Sequence, residues 1–424
     1  MNLFTDPLLR APTWGCVLIG MTAGIVGAFL YLQRRPLAAE TLAHAAYPGA
    51  AAGLGIVALL GWSPSSLFMP PLVGALCCVG LCLKALNVLG RRSQISSDGA
   101  LAFLLASFFG VGVLISSALQ RPFPLVVKQV QALLFGQAAT LQDRHLPLFA
   151  ALALCTVVAT ALLFRPLQAT LYHRELALSM GVRVRAAERA LFWLTAFIIA
   201  ASIRTVGAML LSGLLIAPPI AARQWSHRLS VVLGLSAGFG ALSGLIGQWI
   251  ATFSPVPTGP SVVLTAVAIA LVSLCVSPKR GLLFRAVRIA RFRNKTVEDN
   301  VLKWLWKKGE QPVGALQGVF PGSSYRFGRR LRQMEADGWI SGARQGRVSL
   351  TADGRARAAS VVRLHRLWEL YLAEKWGAAT EEVHRSAEEM EHILTPELEE
   401  ALTRLLDNPE LDPHRQPIPE RHGL

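Results

Sequence analysis

The sequence predicts an all-α polytopic membrane protein of eight or nine transmembrane helices, followed by a winged helix-turn-helix and a further helical domain. Three observations carry this expectation. Hydrophobic residues make up 53% of the 424 positions and charged residues only 16%. The charges are uneven: residues 1–278 hold 17 Lys+Arg against 6 Asp+Glu, whereas residues 279–424 hold 25 against 20. The first part is too poor in charge to coat a soluble domain of that size, and the second has the composition of an ordinary soluble one. Third, the last part carries His384, Glu388, Glu391 and His392 on one predicted helix.

Apolar runs long enough to span lie at about 13–32, 40–61, 67–89, 99–118, 146–164, 188–204, 206–222, 229–251 and 260–277. The Lys/Arg clusters orient them. Arg34-Arg35, Arg91-Arg92, Arg174 to Arg189, Arg223 with Arg228, and Lys279-Arg280 are expected on the cytoplasmic side. The charge-free stretches Trp62 to Ser66 and Ser254 to Pro260 are expected outside, and nine spans with an outside N-terminus satisfy all of these constraints. Residues 188–222, interrupted by Arg204, also read as one long helix with a re-entrant piece, which gives eight. Residues 122–143, with Pro122, Pro124, Lys128 and Gly136, suit a short outer-surface or re-entrant helix pair. The first run has no small-residue cleavage site before it and reads as a retained span. Asp98, at the start of a span near Arg91-Arg92, reads as an inner-surface charge rather than a ligand.

All six cysteines (Cys16, Cys77, Cys78, Cys82, Cys155, Cys275) lie in apolar stretches. They imply no disulfide framework and read as small membrane-buried residues rather than a thiolate site. No Gly-x-x-x-x-Gly-Lys-Ser/Thr loop occurs in the sequence, so the chain does not hydrolyse ATP through that motif.

A basic connector at 284–296 places Arg285, Arg288, Arg291, Arg293 and Lys295 beside Phe284 and Phe292. Its position just after a span favours the anionic inner leaflet over nucleic acid. Residues 297–358 then read as helices at about 297–308, 312–319 and from Ser323-Ser324 to Ala336, with a hairpin through Trp339 to Ser341 and Arg347 to Leu350. That order is a winged helix-turn-helix. Its third helix bears Tyr325, Arg326, Arg329, Arg330 and Arg332, as a helix lying in a DNA major groove would, although such modules also serve protein contacts.

In residues 359–424, His365 and Glu369 are four apart on one helix. On the next, His384, Glu388, Glu391 and His392 fall within roughly a third of the helix circumference at about 100° per residue. Imidazole and carboxylate groups converging in this way suit a divalent transition metal, and oxygen ligands favour manganese or iron(II) over softer ions, with zinc as a third candidate. In the membrane part, Glu40 and His44 are also four apart on one helix. Ionisable groups in apolar spans are costly enough to be functional by default, so this pair is the candidate metal site on a transport path.

Residues 10–283 resemble the permease subunits of ABC transporters for manganese, zinc and iron. The resemblance rests on Glu40-Thr-Leu-Ala-His44 with Pro48-Gly49, on Glu175 through Gly181, on Val206-Gly207 through Ala217-Pro218, and on Pro257-Thr258-Gly259. It implies a multi-pass protein of the bacterial cytoplasmic membrane and a separate ATP-binding subunit docking at Glu175 to Gly181. It also implies an extracytoplasmic metal-binding protein and a permease homodimer or heterodimer. The family usually has Asp where this chain has Glu40.

Residues 296–419 resemble the metal-dependent repressors of the diphtheria-toxin-repressor family through Leu350 to Gly354, Arg363 to Glu369, Glu382 to His392, and Asn408-Pro409 to Pro419. Carried over, His365, Glu369, His384, Glu388, Glu391 and His392 fall on that family's metal-ligand positions, in a domain that also dimerises. Asn300 and Lys303 stand where its manganese-type members have carboxylates on the first helix; Glu298 or Asp299 would substitute in a shifted register. The expectation is a permease, residues 1–283, with a cytoplasmic metal-sensing tail that regulates transport. The alternative is a tail that represses transcription by binding DNA, tethered or released by proteolysis.

Overall fold

The computed structural model describes residues 3–61, 68–92, 96–278, 280–319, 324–376 and 396–420. The chain divides into two compact units, Met1–Arg285 and Ala286–Leu424.

The first unit is helical: α1 (Arg10–Leu32), α2 (Pro36–Leu59), α3 (Met69–Arg92), α4 (Ser97–Gln120), α5 (Pro124–Phe135), α6 (Leu146–Leu162), α7 (Phe164–Tyr172), α8 (Arg174–Ser179), α9 (Val184–Ser202), α10 (Ala208–Trp225), α11 (Leu229–Phe253) and α12 (Thr258–Val276). Among the described residues, seven helices are long and apolar enough to cross a membrane: α1 to α4, α6, α11 and α12. The two segments expected at 188–204 and 206–222 are both helical, as α9 and α10, but neither meets that length and composition. Arg185, Glu188 and Arg189 put too much charge into α9, and Pro218, Pro219, Arg223 and Gln224 lower the hydropathy of α10. In place of the helix pair anticipated at 122–143 stands one helix, α5, followed by two single 3₁₀ turns at Ala138–Thr140 and Asp143–His145.

Small residues let the central helices touch backbone to backbone. A Cβ on Gly20 of α1 would lie 2.1 Å from the Gly240 carbonyl oxygen of α11, and one on Gly24 would lie 2.2 Å from that of Ser236. One turn further, Gly244 meets the Cys16 carbonyl in the same way. This i, i+4 spacing of small residues on both partners is the usual basis of close helix association where water supplies no hydrophobic drive. On the other side of the bundle Gly49 and Gly74 approach each other equally closely and hold α2 against α3.

A second knot joins three chain segments. Gly136 (φ +75°) ends α5, and Gly207 (φ +91°) breaks the chain between α9 and α10. Gly259 lies against the carbonyls of Phe135 and Val206. Gln137 N–H donates to the Arg204 carbonyl (2.9 Å), and Ala138 N–H donates to Thr258 Oγ1 (2.8 Å).

The remaining elements are α13 (Leu282–Lys308), most of which belongs to the second unit, then β1 (Gln311–Pro312), α14 (Val313–Val319), α15 (Ser324–Ala336), β2 (Ile340–Ser341), β3 (Arg347–Leu350), α16 (Ala352–Trp376) and α17 (Pro396–Leu405). The basic connector expected at 284–296 is thus part of α13 rather than a separate segment. Nothing between Leu282 and Lys308 is a helix breaker, so the helix that begins at Leu282 has no reason to stop. The three strands pair antiparallel in the order β1-β3-β2, with Ser341 opposite Ser349 and their hydroxyls 2.9 Å apart. β1 was not foreseen; two residues are too few to show alternation. Val301, Leu302, Leu305, Phe327, Leu331 and Met334 form a core beneath the sheet.

The motif Thr351 to Gly354 starts α16. Thr351 Oγ1 accepts from Gly354 N–H (3.0 Å) and donates to the Gly338 carbonyl (2.5 Å). A Cβ on Gly354 would fall 1.7 Å from the Trp339 carbonyl oxygen, so only glycine lets the helix pass there.

Candidate functional site

Glu40 and His44 lie one turn apart on α2, the helix that Pro36 opens with a fixed φ. Glu40 is half-buried and His44 buried, at 8% exposure. The His44 ring meets Phe109 of α4 edge to face, at 5.0 Å between centroids, and its Nδ1 is buried with no hydrogen-bond partner among the described residues. A turn further along, Tyr47 O–H and Ser116 Oγ are 2.7 Å apart, which fixes α2 against α4 on the same face. A buried imidazole nitrogen without a partner is costly unless something else engages it. It is the one observation at this pair that points to a ligand.

A cavity of about 170 Å3 lies near the Gly207 break and is lined by Phe68, Gln129, Leu133, Gln137, Thr140 and Arg204, among others. Among its described lining residues the one charged group is the Arg204 guanidinium, whose charge does not suit a resting metal ion. Among the described residues, no three His, Cys, Asp or Glu side chains converge on one point.

Glu175 and Gly181 bracket the short helix α8. His173 Nδ1 caps it by accepting from Leu176 N–H (3.4 Å), Arg174 pairs with Glu188 of α9 (3.0 Å), and Gly181 ends it at φ +76°. Leu176, Leu178 and Met180 are exposed around it and form an apolar ridge that no described residue of this unit covers. The cysteines are all free: Cys16 and Cys82 are buried, whereas Cys77 and Cys155 lie on the outer surface of the bundle. Asp98 is exposed in the first turn of α4, where Ser96 Oγ caps Gly99 N–H (3.1 Å).

In the second unit, His384, Glu388, Glu391 and His392 lie outside the described residues. His365 and Glu369 are described, on α16, at 4% and 2% exposure. His365 Nε2 is 3.1 Å from Glu369 Oε1, and His365 Nδ1 is 3.0 Å from Lys303 Nζ of α13. Both ring nitrogens are therefore engaged. Of the other first-helix groups, Asp299 pairs with Arg357 (3.6 Å) and Glu298 with Arg330 (2.9 Å). Burial pushes the Glu298 carboxyl above its ordinary range, against the opposing pull of Arg330 and Arg357.

The basic helix α15 divides by exposure. Tyr325, Arg326, Arg329 and Arg332 are exposed, whereas Arg330 turns inward to Glu298 and Gln333. Arg330 shares the charge of its neighbours but not their exposed face. Its position one residue past Arg329 rotates it about 100° toward α13, where a carboxylate meets it. The closing motif is also structural: Asp412 Oδ1 accepts from His414 and Gln416 N–H (2.9 and 2.8 Å), and Arg363 binds Glu399 (3.0 Å) and the Pro419 carbonyl (2.7 Å).

The first unit is a helical membrane permease by fold, and the last part of the second carries a repressor-type domain. The chain belongs to the ABC 3 transport family, whose profile matches residues 5–277; that of the iron dependent repressor, metal binding and dimerisation domain, matches residues 351–420. It is 35% identical to a probable metal transport system membrane protein of Chlamydia trachomatis, over 99% of this chain and 98% of that one. It is 27% identical to a manganese transport system membrane protein of Bacillus subtilis, covering 84% of this chain and 82% of that one. Among solved structures, PsaBC from Streptococcus pneumoniae in complex with Fab aligns with 68% of this chain and 97% of that chain, at 25% identity and a TM-score of 0.58.

Proposed function

We propose that the chain is the membrane-spanning subunit of an ABC importer that carries a divalent transition metal across a bacterial cytoplasmic membrane, with manganese or iron favoured and zinc third. The observation that carries this is the buried His44 imidazole, whose Nδ1 has no hydrogen-bond partner among the described residues, one turn from Glu40 in a family of metal permeases. Glu40 and His44 bind the cargo transiently; two ligands leave it loosely held, as passage requires. A separate ATP-binding subunit docks on α8 between Glu175 and Gly181, where exposed Leu176, Leu178 and Met180 offer an apolar contact. An extracytoplasmic metal-binding protein delivers the ion, and two permease subunits assemble as a homodimer or heterodimer. α9 and α10 complete eight or nine spans. Residues 1–283 are the permease, and 284–296 lie along the inner leaflet, with the exposed Phe284 and Phe292 in lipid. Residues 297–358 form a winged helix-turn-helix, and 359–424 the metal-binding and dimerisation domain.

The tail is cytoplasmic and senses the imported metal through His384, Glu388, Glu391 and His392. Metal binding biases the permease only as far as the two states of the tail differ in metal affinity. The test is uptake of radiolabelled manganese by cells carrying the full importer. Glu40→Gln and His44→Ala lower uptake by about tenfold or more at equal protein level, because each removes a ligand from a site with few alternatives. Near-normal uptake in both variants would overturn the proposal.

A second reading is favoured by the exposed row Tyr325, Arg326, Arg329 and Arg332: the tail binds DNA as a metal-dependent repressor, tethered or after release.

A further inference from the structure

Two of the tail's expected metal-ligand positions are already engaged with other side chains. His365 and Glu369 sit on α16 with a third group already between them and the first helix, the Lys303 ammonium, 8% exposed and 3.0 Å from His365 Nδ1. The contacts also fix the tautomer. An ammonium only donates, so Nδ1 accepts from Lys303, and the imidazole proton is on Nε2, from which it donates to Glu369 Oε1 at 3.1 Å. The result is a relay of ammonium, neutral imidazole and carboxylate, with one positive and one negative charge. The two opposite charges are thus linked through the imidazole, and burying them together costs less than burying either one alone.

We infer that Lys303 is the resident cation of the His365–Glu369 pair, so that α13 and α16 are joined there without metal. Metal reaching the tail binds through the 384–392 groups alone. A divalent ion at His365 would have to displace the ammonium from Nδ1, or lie beside it and be repelled. The neighbouring pairs suit the same role. Asp299, one turn before Lys303, is neutralised by Arg357, and Glu298 by Arg330, so the two carboxylates that a shifted register would offer are already taken up in ion pairs.

This rests on the sensing role proposed for the tail, and the test separates the two. Mn(II) binding to the solubilised full-length chain is measured by calorimetry and by the electron paramagnetic resonance of bound Mn(II). His365→Gln removes the imidazole but keeps an acceptor for Lys303, so its Mn(II) stoichiometry equals the wild type and its affinity agrees within about twofold. Lys303→Glu replaces the ammonium with a carboxylate. It gains one bound Mn(II) per chain, and the gain disappears in the double variant with His365→Gln. Loss of a wild-type Mn(II) in His365→Gln would show that His365 ligates metal despite Lys303 and would overturn the inference, as would a Lys303→Glu chain that melts like the wild type but gains no ion. Loss of tail binding on Glu388→Ala with His392→Ala supports the sensing role; its persistence overturns that role and leaves the Lys303 relay standing.

Discussion

At Gly207 one added methyl group would disturb both the backbone conformation and the packing. The glycine holds the break between α9 and α10 at φ +91° and ψ 149°, a conformation that residues with a Cβ rarely adopt. Such backbone strain costs about 1–3 kcal/mol. A Cβ there would also fall 2.4 Å from the Leu134 carbonyl oxygen and 2.5 Å from the Gly136 nitrogen. These atoms are backbone, so no rotamer relieves the overlap, and overpacking of this kind adds about 1–3 kcal/mol. Gly207→Ala is therefore expected to destabilise the unit by about 2–6 kcal/mol, and to do so where α5, α10 and α12 meet. The assay is thermal unfolding of the solubilised chain beside manganese uptake in cells. Gly238→Ala is the control: a Cβ there meets nothing within 4 Å in the middle of α11, so its melting matches or slightly exceeds the wild type. A Gly207→Ala chain that melts and transports like the wild type would refute the reasoning.

Gly181→Pro forces φ from +76° toward about −65° at the end of α8 and is expected to abolish stimulation of the partner ATPase while metal binding is kept; Glu175→Ala does the same more mildly. Full transport in both variants would mean that the docking segment lies elsewhere. If the tail binds DNA, Arg326→Ala and Arg329→Ala each weaken retention of the full chain in a gel shift and lower the salt slope by about 1, since each removes one phosphate contact. Arg330→Ala lowers the melting temperature instead, because it leaves Glu298 buried without its partner. No retention of DNA by the wild type with or without metal would end that reading.

Much of the first unit was legible because membrane helices write themselves as long apolar runs. That Glu40 and His44 share one helix a turn apart was legible, because a charge and an imidazole stand out in an apolar run and the helical period puts them on one side. Where α9 gives way to α10 was less so: Arg204 signals an interruption, but the backbone turn belongs to Gly207, and its reason is a contact with residues some seventy positions earlier. The same limit hid the fate of Lys303. The sequence marks it as the wrong residue for a metal ligand, but not that its ammonium reaches His365 across 62 positions. Arg330 differs from Arg329 only by the carboxylate that α13 places beside it. The continuity of α13 through the basic connector was obscured by its charge, since a run of Arg and Phe carries no stripe that faces a core.

The most direct measurement of the central claim is ATP-dependent accumulation of radiolabelled manganese in membrane vesicles holding this chain and its ATP-binding subunit, wild type against His44→Ala at matched protein level. The account predicts accumulation in the wild type that falls by about tenfold or more in the variant, with assembly of the complex unchanged. Equal accumulation in the two would contradict it.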